Sequence, residues 1–230
     1  MRFIASLILP VFLLIGGCSS FSDQTIPVET FITGQTAGDA TSIYWLEQKQ
    51  AFPVSLKSRV YVGDYGHYDS VSTWRAGVLR ELRQQGEQFV DDEIQPFSLV
   101  LRFDDNGEAV YQRYRVGERV VPLSPSQIKT HQRSVEQSLD VVKALKAERA
   151  RLIQGKMHDG ELVACGSTRA RNVAFTQPLP ASVAKKIATG SHFIAALGKE
   201  SAGEVSLSSL LLLDGPEGQC LTPPQLSDES

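Results

Sequence analysis

Phe97-Ser98-Leu99-Val100-Leu101-Arg102-Phe103 constrains this chain more than any other segment. Phe97, Leu99, Leu101 and Phe103 fall on one face of an extended strand, the period-two pattern of a half-buried sheet. Asp104-Asp105-Asn106-Gly107 then reverses the chain, Ala109 to Tyr114 returns, and Gly117-Glu118 turns it again into Arg119-Val120-Val121. Asn-Gly between alternating runs marks a hairpin, because both residues accept the left-handed backbone that tight turns require. Directly afterwards the period changes. Ser124-Pro125-Ser126-Gln127 supplies an N-cap serine, proline at the first helical position and glutamine three residues after the cap. Ile128, Val135, Leu139, Val142 and Leu145 then recur at helical spacing, with His131 on the same stripe as a half-buried structural histidine.

The flanks carry weaker signals of the same kinds. Ile43 to Leu46, Val54 to Leu56 and Arg59 to Val62 are β-prone. Val71 to Trp74 and Val78 to Leu82 flank Ala76-Gly77, which reads as a tight hairpin turn, although Leu79 and Leu82 also suit a helix. Arg151 to Met157 and Glu161 to Cys165 form a second hairpin about His158-Asp159-Gly160. Pro180 to Thr189 reads as a short helix closed by Gly190. His192 to Leu197 and Val205 to Leu213 read as two apolar strands, before Asp214 to Gly218 turns the chain into Cys220. The expectation is an α+β fold: a mostly antiparallel sheet of hairpins with one long amphipathic helix and a short second helix.

The N-terminus reads as an address. One arginine, Arg2, precedes an uncharged run from Ile4 to Ile15, too short for a bilayer span of about 20 apolar residues. Leu14-Ile15-Gly16-Gly17-Cys18 follows and resembles the lipobox of bacterial lipoproteins. That resemblance implies cleavage before Cys18, a diacylglyceryl group on its thiol and a further fatty acyl chain such as palmitate on its amine. Two or more chains hold a protein to a membrane where one does not. Ser19 and Ser20, in place of aspartate, favour the periplasmic face of the outer membrane over the inner membrane by the same analogy. The expected organisation is a signal peptide over 1–17, a lipidated flexible tether over 18–40, a single α+β domain over 41–220 and a loose acidic tail over 221–230.

A 42% apolar composition suffices for a core, and a net charge of −3 with interleaved signs gives no basic footprint for nucleic acid. With Cys18 lipidated, Cys165 and Cys220 remain. An even pair in an oxidising compartment reads as a disulfide, with a metal pair or a reactive thiol as the alternatives. Neither G-x-S-x-G nor H-E-x-x-H occurs. The His158-Asp159 neighbours are turn residues rather than a dyad, and the acidic turn at Asp104 lacks the ligand register and terminal glutamate of a calcium loop. No catalytic residue, metal ligand or cofactor is assigned.

Arg102-Phe103-Asp104-Asp105-Asn106-Gly107-Glu108, the capped helix from Ser124, Gln154 to Asp159, Trp74 and the Cys165/Cys220 pair occur in an order that resembles the YjaH-like lipoproteins of enteric and vibrio-type bacteria. The resemblance implies export and lipidation, in a family whose domain has no assigned function. Three functional classes follow as expectations. The first is a non-enzymatic envelope adaptor or binding module that meets a protein partner at a sheet edge or concave face. The second is an envelope hydrolase, which needs His67, Asp69 or His158 to meet a second titrating group. The third is a small-ligand or lipid carrier, suggested by Leu210 to Leu213 and dependent on an internal cavity.

Overall fold

The computed structural model describes residues 26–201 and 204–226. Eight strands follow one another in chain order: β1 (Glu29–Ala37), β2 (Ala40–Lys49), β3 (Phe52–Val62), β4 (His67–Arg75), β5 (Val78–Val90), β6 (Glu93–Phe103), β7 (Ala109–Val116) and β8 (Arg119–Val120). Each pairs antiparallel with the next, so one open sheet runs β1 to β8 without a crossover. The helix α1 (Pro125–Ala147) follows, and β9 (Arg151–His158), β10 (Glu161–Ala164), β11 (Ala170–Phe175), the short helix α2 (Ala181–Ala188), β12 (His192–Ser201) and β13 (Glu204–Asp214) complete the chain. The last five strands close into a barrel of order β10-β11-β13-β12-β9, in which only β11 and β13 run parallel.

The turns follow from backbone chemistry. Asp104 Oδ1 accepts the N–H groups of Asn106 and Glu108, and Gly107 takes φ 80°. Ala76-Gly77 and Asp159-Gly160 both lie at positive φ, as tight hairpins require. The helix begins with the capping box read in the sequence: the Ser124 hydroxyl accepts from Gln127 N–H, and Gln127 Oε1 accepts from Ser124 N–H.

The long helix lies across one face of the open sheet. Ile128 and Val135 meet Leu82, Leu99, Leu101 and Phe103, while Leu139 and Val142 meet Phe31, Tyr44, Leu46 and Leu56. The opposite face at the β1–β2 end packs on the barrel, where Ile43 and Trp45 contact Leu197 and Leu211. Burying one such side chain stabilises by about 1.5–3 kcal/mol. The barrel holds its own core of Ile153, Met157, Leu162, Ile194, Val205 and Leu207, against which Ile187 of α2 sits. Leu210 and Leu213 pack on that core, and Leu211 faces the open sheet, so the leucine run is a core strand.

Three expectations need correction. The expected antiparallel sheet with one long and one short helix is present, but the α+β body is mostly β and its strands divide into an eight-stranded sheet and a five-stranded barrel, because strands also fill stretches that carry no alternating signal. The tether does not extend to Ala40: β1 starts at Glu29, and Phe31, Thr33 and Gly34 are buried. Polar and small residues there are core, since Thr33 Oγ1 donates to the Ala150 carbonyl at 2.9 Å and Gly34 lets β1 approach Leu211 closely. The tail is not loose as far as residue 226. Gln154 donates to the Leu221 carbonyl at 3.0 Å and accepts from its N–H at 2.8 Å, and Pro224 is buried. The signal segment, Cys18 and residues 227–230 lie outside the described residues.

Candidate functional site

Among the described residues, the β7–β8 end of the open sheet leaves part of a strand edge without a partner. The last five strands close into a barrel, and β1 lies against it. At the other end of the open sheet, β8 pairs only with Arg115 and Val116, and Val121 N–H reaches the Tyr114 carbonyl at 2.8 Å. Beyond that point no strand among the described residues pairs with the outer side of β7. Ala109, Val110, Tyr111 and Gln112 are all exposed there, and Val120 of β8 is exposed beside them. An open edge presents unpaired main-chain donors and acceptors to any extended chain.

The face of β5 to β7 turned away from α1 is cationic. Cross-strand register sets Arg83, Val100 and Arg113 in one row, with Arg102 and Tyr111 in the row beside it. The Arg102 guanidinium lies 5.3 Å from the Tyr111 ring centre. These side chains line a groove of about 170 Å³ that Leu226 borders. Its wall has three arginines and, among the described residues, no carboxylate. Glu81 lies at its margin, taking Arg83 Nε at 2.6 Å and Arg102 Nε at 2.8 Å. Burial pushes the Glu81 carboxyl up, but those arginine hydrogen bonds outweigh it and hold the group below its ordinary value.

The residues singled out in the sequence lie apart. His158, the last residue of β9, is exposed and lies 3.3 Å from the equally exposed Asp159. His67 stands 3.6 Å from Glu87, whereas Asp69 is held by Arg59 through two bonds of 2.8 and 2.9 Å. His131 is half-buried on α1, and burial pushes its pKa down. Cys165 and Cys220 are joined, with Cα atoms 6.0 Å apart. No three potential metal ligands cluster among the described residues, and no described helix is long and apolar enough to cross a membrane.

A family model described as "Protein of unknown function (DUF1481)" matches residues 32–225. The chain belongs to this family. The match starts within β1 and ends beside Leu226, so the DUF1481 domain takes in both the open sheet and the barrel. No curated protein and no solved structure matches the chain.

The arginine groove was not foreseen from the sequence, because its members come from three strands and are collected only by register. Alternation does carry part of the signal: Arg102 falls on the polar face of β6, and Arg113 and Arg115 share one face of β7.

Proposed function

We propose that this DUF1481 chain is a membrane-anchored lipoprotein of the cell envelope, held through lipid on Cys18 at the periplasmic face of the outer membrane. It acts there as a non-enzymatic binding module that takes an extended, acidic segment of another envelope protein along β7. The observation that carries the reading is the strand order. Cys18 stands eleven positions before the start of β1, and β1 and β8 are opposite ends of one sequentially ordered sheet. Seven strand spacings of about 4.8 Å separate them, so the open edge lies on the order of 30 Å from the anchored strand. An edge at that distance from the anchored strand can meet a partner away from the membrane surface.

Charge selects the partner. Arg113 and Arg115 on β7 disfavour pairing of this edge with a second copy of itself, and the β-bulge opposite Arg102 and Phe103 twists it away from a flat template. An acidic strand meets the opposite field, gaining main-chain bonds along the edge and ion pairs across the groove.

Two measurements test this. A photocrosslinking residue at Val110 in living cells should trap one envelope protein through an acidic extended segment, and Arg113→Glu/Arg115→Glu should abolish the product while leaving the fold intact. The same residue at exposed Phe52, at the start of β3, is the control. Equal products at both positions would refute the edge as the docking site. Cys18→Ser should shift the protein from the membrane fraction to the soluble fraction, and retention at the membrane would refute the anchor.

A further inference from the structure

A second site lies between α1 and the sheet, independent of the β7 edge. One cross-strand row sets Tyr44, Ser58, Ser70 and Gln84 side by side on β2, β3, β4 and β5. Ser72 stands in the next row on one side of them, and Ser42 and Tyr68 in the next row on the other. All face the helix, and α1 contributes Ser134 and Ser138, one turn apart on a single face. Together with Leu56, Val60 and Val135 they line a partly open cavity of about 50 Å³ that no charged side chain lines.

The hydroxyls of this cavity are not used by the protein. Ser42, Ser58, Ser70 and Ser72 are each more than nine-tenths buried. None of them, nor Ser134 or Ser138, hydrogen-bonds through its side chain to another group among the described residues. Tyr44 is the exception in the row, its hydroxyl accepting from Gln35 at 3.1 Å. Their oxygens are open to a water-sized group, since the buried side-chain atom left without a partner among the described residues is His192 Nδ1. A row of hydroxyls that bonds no protein group and opens onto one cavity is placed to bond polar atoms held there.

We infer that this cavity is a binding site for a small uncharged polyol, or for the polyol end of a larger molecule entering beside Ser134 and Tyr68. Three features fix the ligand class. The lining offers hydroxyls and one carboxamide, which both donate and accept, and this suits hydroxyl groups of either polarity. It offers no charge to balance an ionic ligand. Its volume holds about four water-sized groups at roughly 10–15 Å³ each, the size of a short polyol. Tyr44 and Tyr68 are the aromatic residues of its lining.

The test uses the full lipidated chain in a detergent without sugar headgroups, titrated with glycerol and, separately, with 1-propanol while backbone amide NMR shifts are followed. Glycerol should produce saturable shifts centred on Ser58, Ser70, Ser134 and Ser138, and 1-propanol should not. Ser70→Val, which fills the space and removes a hydroxyl, should weaken the glycerol midpoint about tenfold or more. Ser138→Ala, on the half-exposed helix, is a second variant that keeps the core unchanged and should weaken binding in the same direction. Shifts that rise linearly with glycerol, that match those of 1-propanol, or that persist in both variants would overturn the inference and leave the cavity as a site for water alone.

Discussion

Replacing both Cys165 and Cys220 by serine tests how the barrel is held. The bond closes a loop with a sequence separation of 55, which takes in β11, α2, β12 and β13. In the chain-entropy description such a loop stabilises by about 4 kcal/mol at 25 °C, by restricting the unfolded chain. A body of this size loses about 2–4 °C of Tm per kcal/mol, so the double variant should melt about 8–16 °C lower than its parent. The structure adds a second fastening at the same place. The Gln154 carbonyl accepts from Cys165 N–H at 2.8 Å, while its carboxamide clamps Leu221, the residue after Cys220. Gln154→Ala in the oxidised protein should therefore cost only about 1–3 kcal/mol, the loss of two part-buried hydrogen bonds. The assay is urea unfolding followed by tryptophan fluorescence, since Trp45 lies at the sheet–barrel contact, with a thermal scan alongside. A double-serine variant that loses less than about 1 kcal/mol would refute the reasoning, because the clamp would then be doing all of the fastening.

Four further outcomes follow from the same contacts. Leu101→Ala, fully buried between sheet and helix, should cost about 2–5 kcal/mol in urea unfolding. Gly155→Ala should destabilise the barrel by about 1–3 kcal/mol, because a methyl group there would meet the Val163 carbonyl and Ala164 Cα across the ladder; an unchanged midpoint would refute that close approach. Burial lowers the pKa of His131, so the unfolded chain binds a proton that the folded one resists; stability should fall as pH drops from about 6.5 toward the folded value, and His131→Gln should remove that dependence. Asp104 is held below its ordinary range by the Glu108 and Asn106 N–H groups, so its turn should stay ordered above the ordinary aspartate pKa and loosen as pH falls through the depressed one; a carboxyl NMR titration with an ordinary midpoint would contradict this.

What the sequence made legible was wherever alternation and turn chemistry agree. Phe97 to Phe103, the Asn106-Gly107 turn and the capped start of α1 stand where the residues place them. The reading failed where polar residues face inward. β3 appeared as two apolar runs split at Ser58, and β4 was recognised only from Val71 because Tyr68, Ser70 and Ser72 broke the apolar pattern. The residues that line the inner cavity are the ones that concealed its strands. The β5–β6 turn was missed for a local reason: Asp91 and Asp92 both adopt positive φ without glycine, and Pro96 inside β6 argues against a paired strand. The arginine groove needed register across three strands, which no single segment encodes.

The unbroken order of β1 to β8 bears on how the protein is made. Each strand of the open sheet pairs with the one just before it in the chain, so the closure entropy of each new pairing is that of a short turn. A chain delivered N-terminus first can zip this sheet hairpin by hairpin and lay α1 over it before the rest arrives. The barrel cannot form that way: β9 must wait for β12, and β11 for β13. Non-local pairing is the slow step in folding. Between the two events Ile43 and Trp45 stay uncovered, since Leu197 and Leu211 reach them only with the last strands. In that interval the exposed back of β2 is the place where the nascent protein is most open to aggregation.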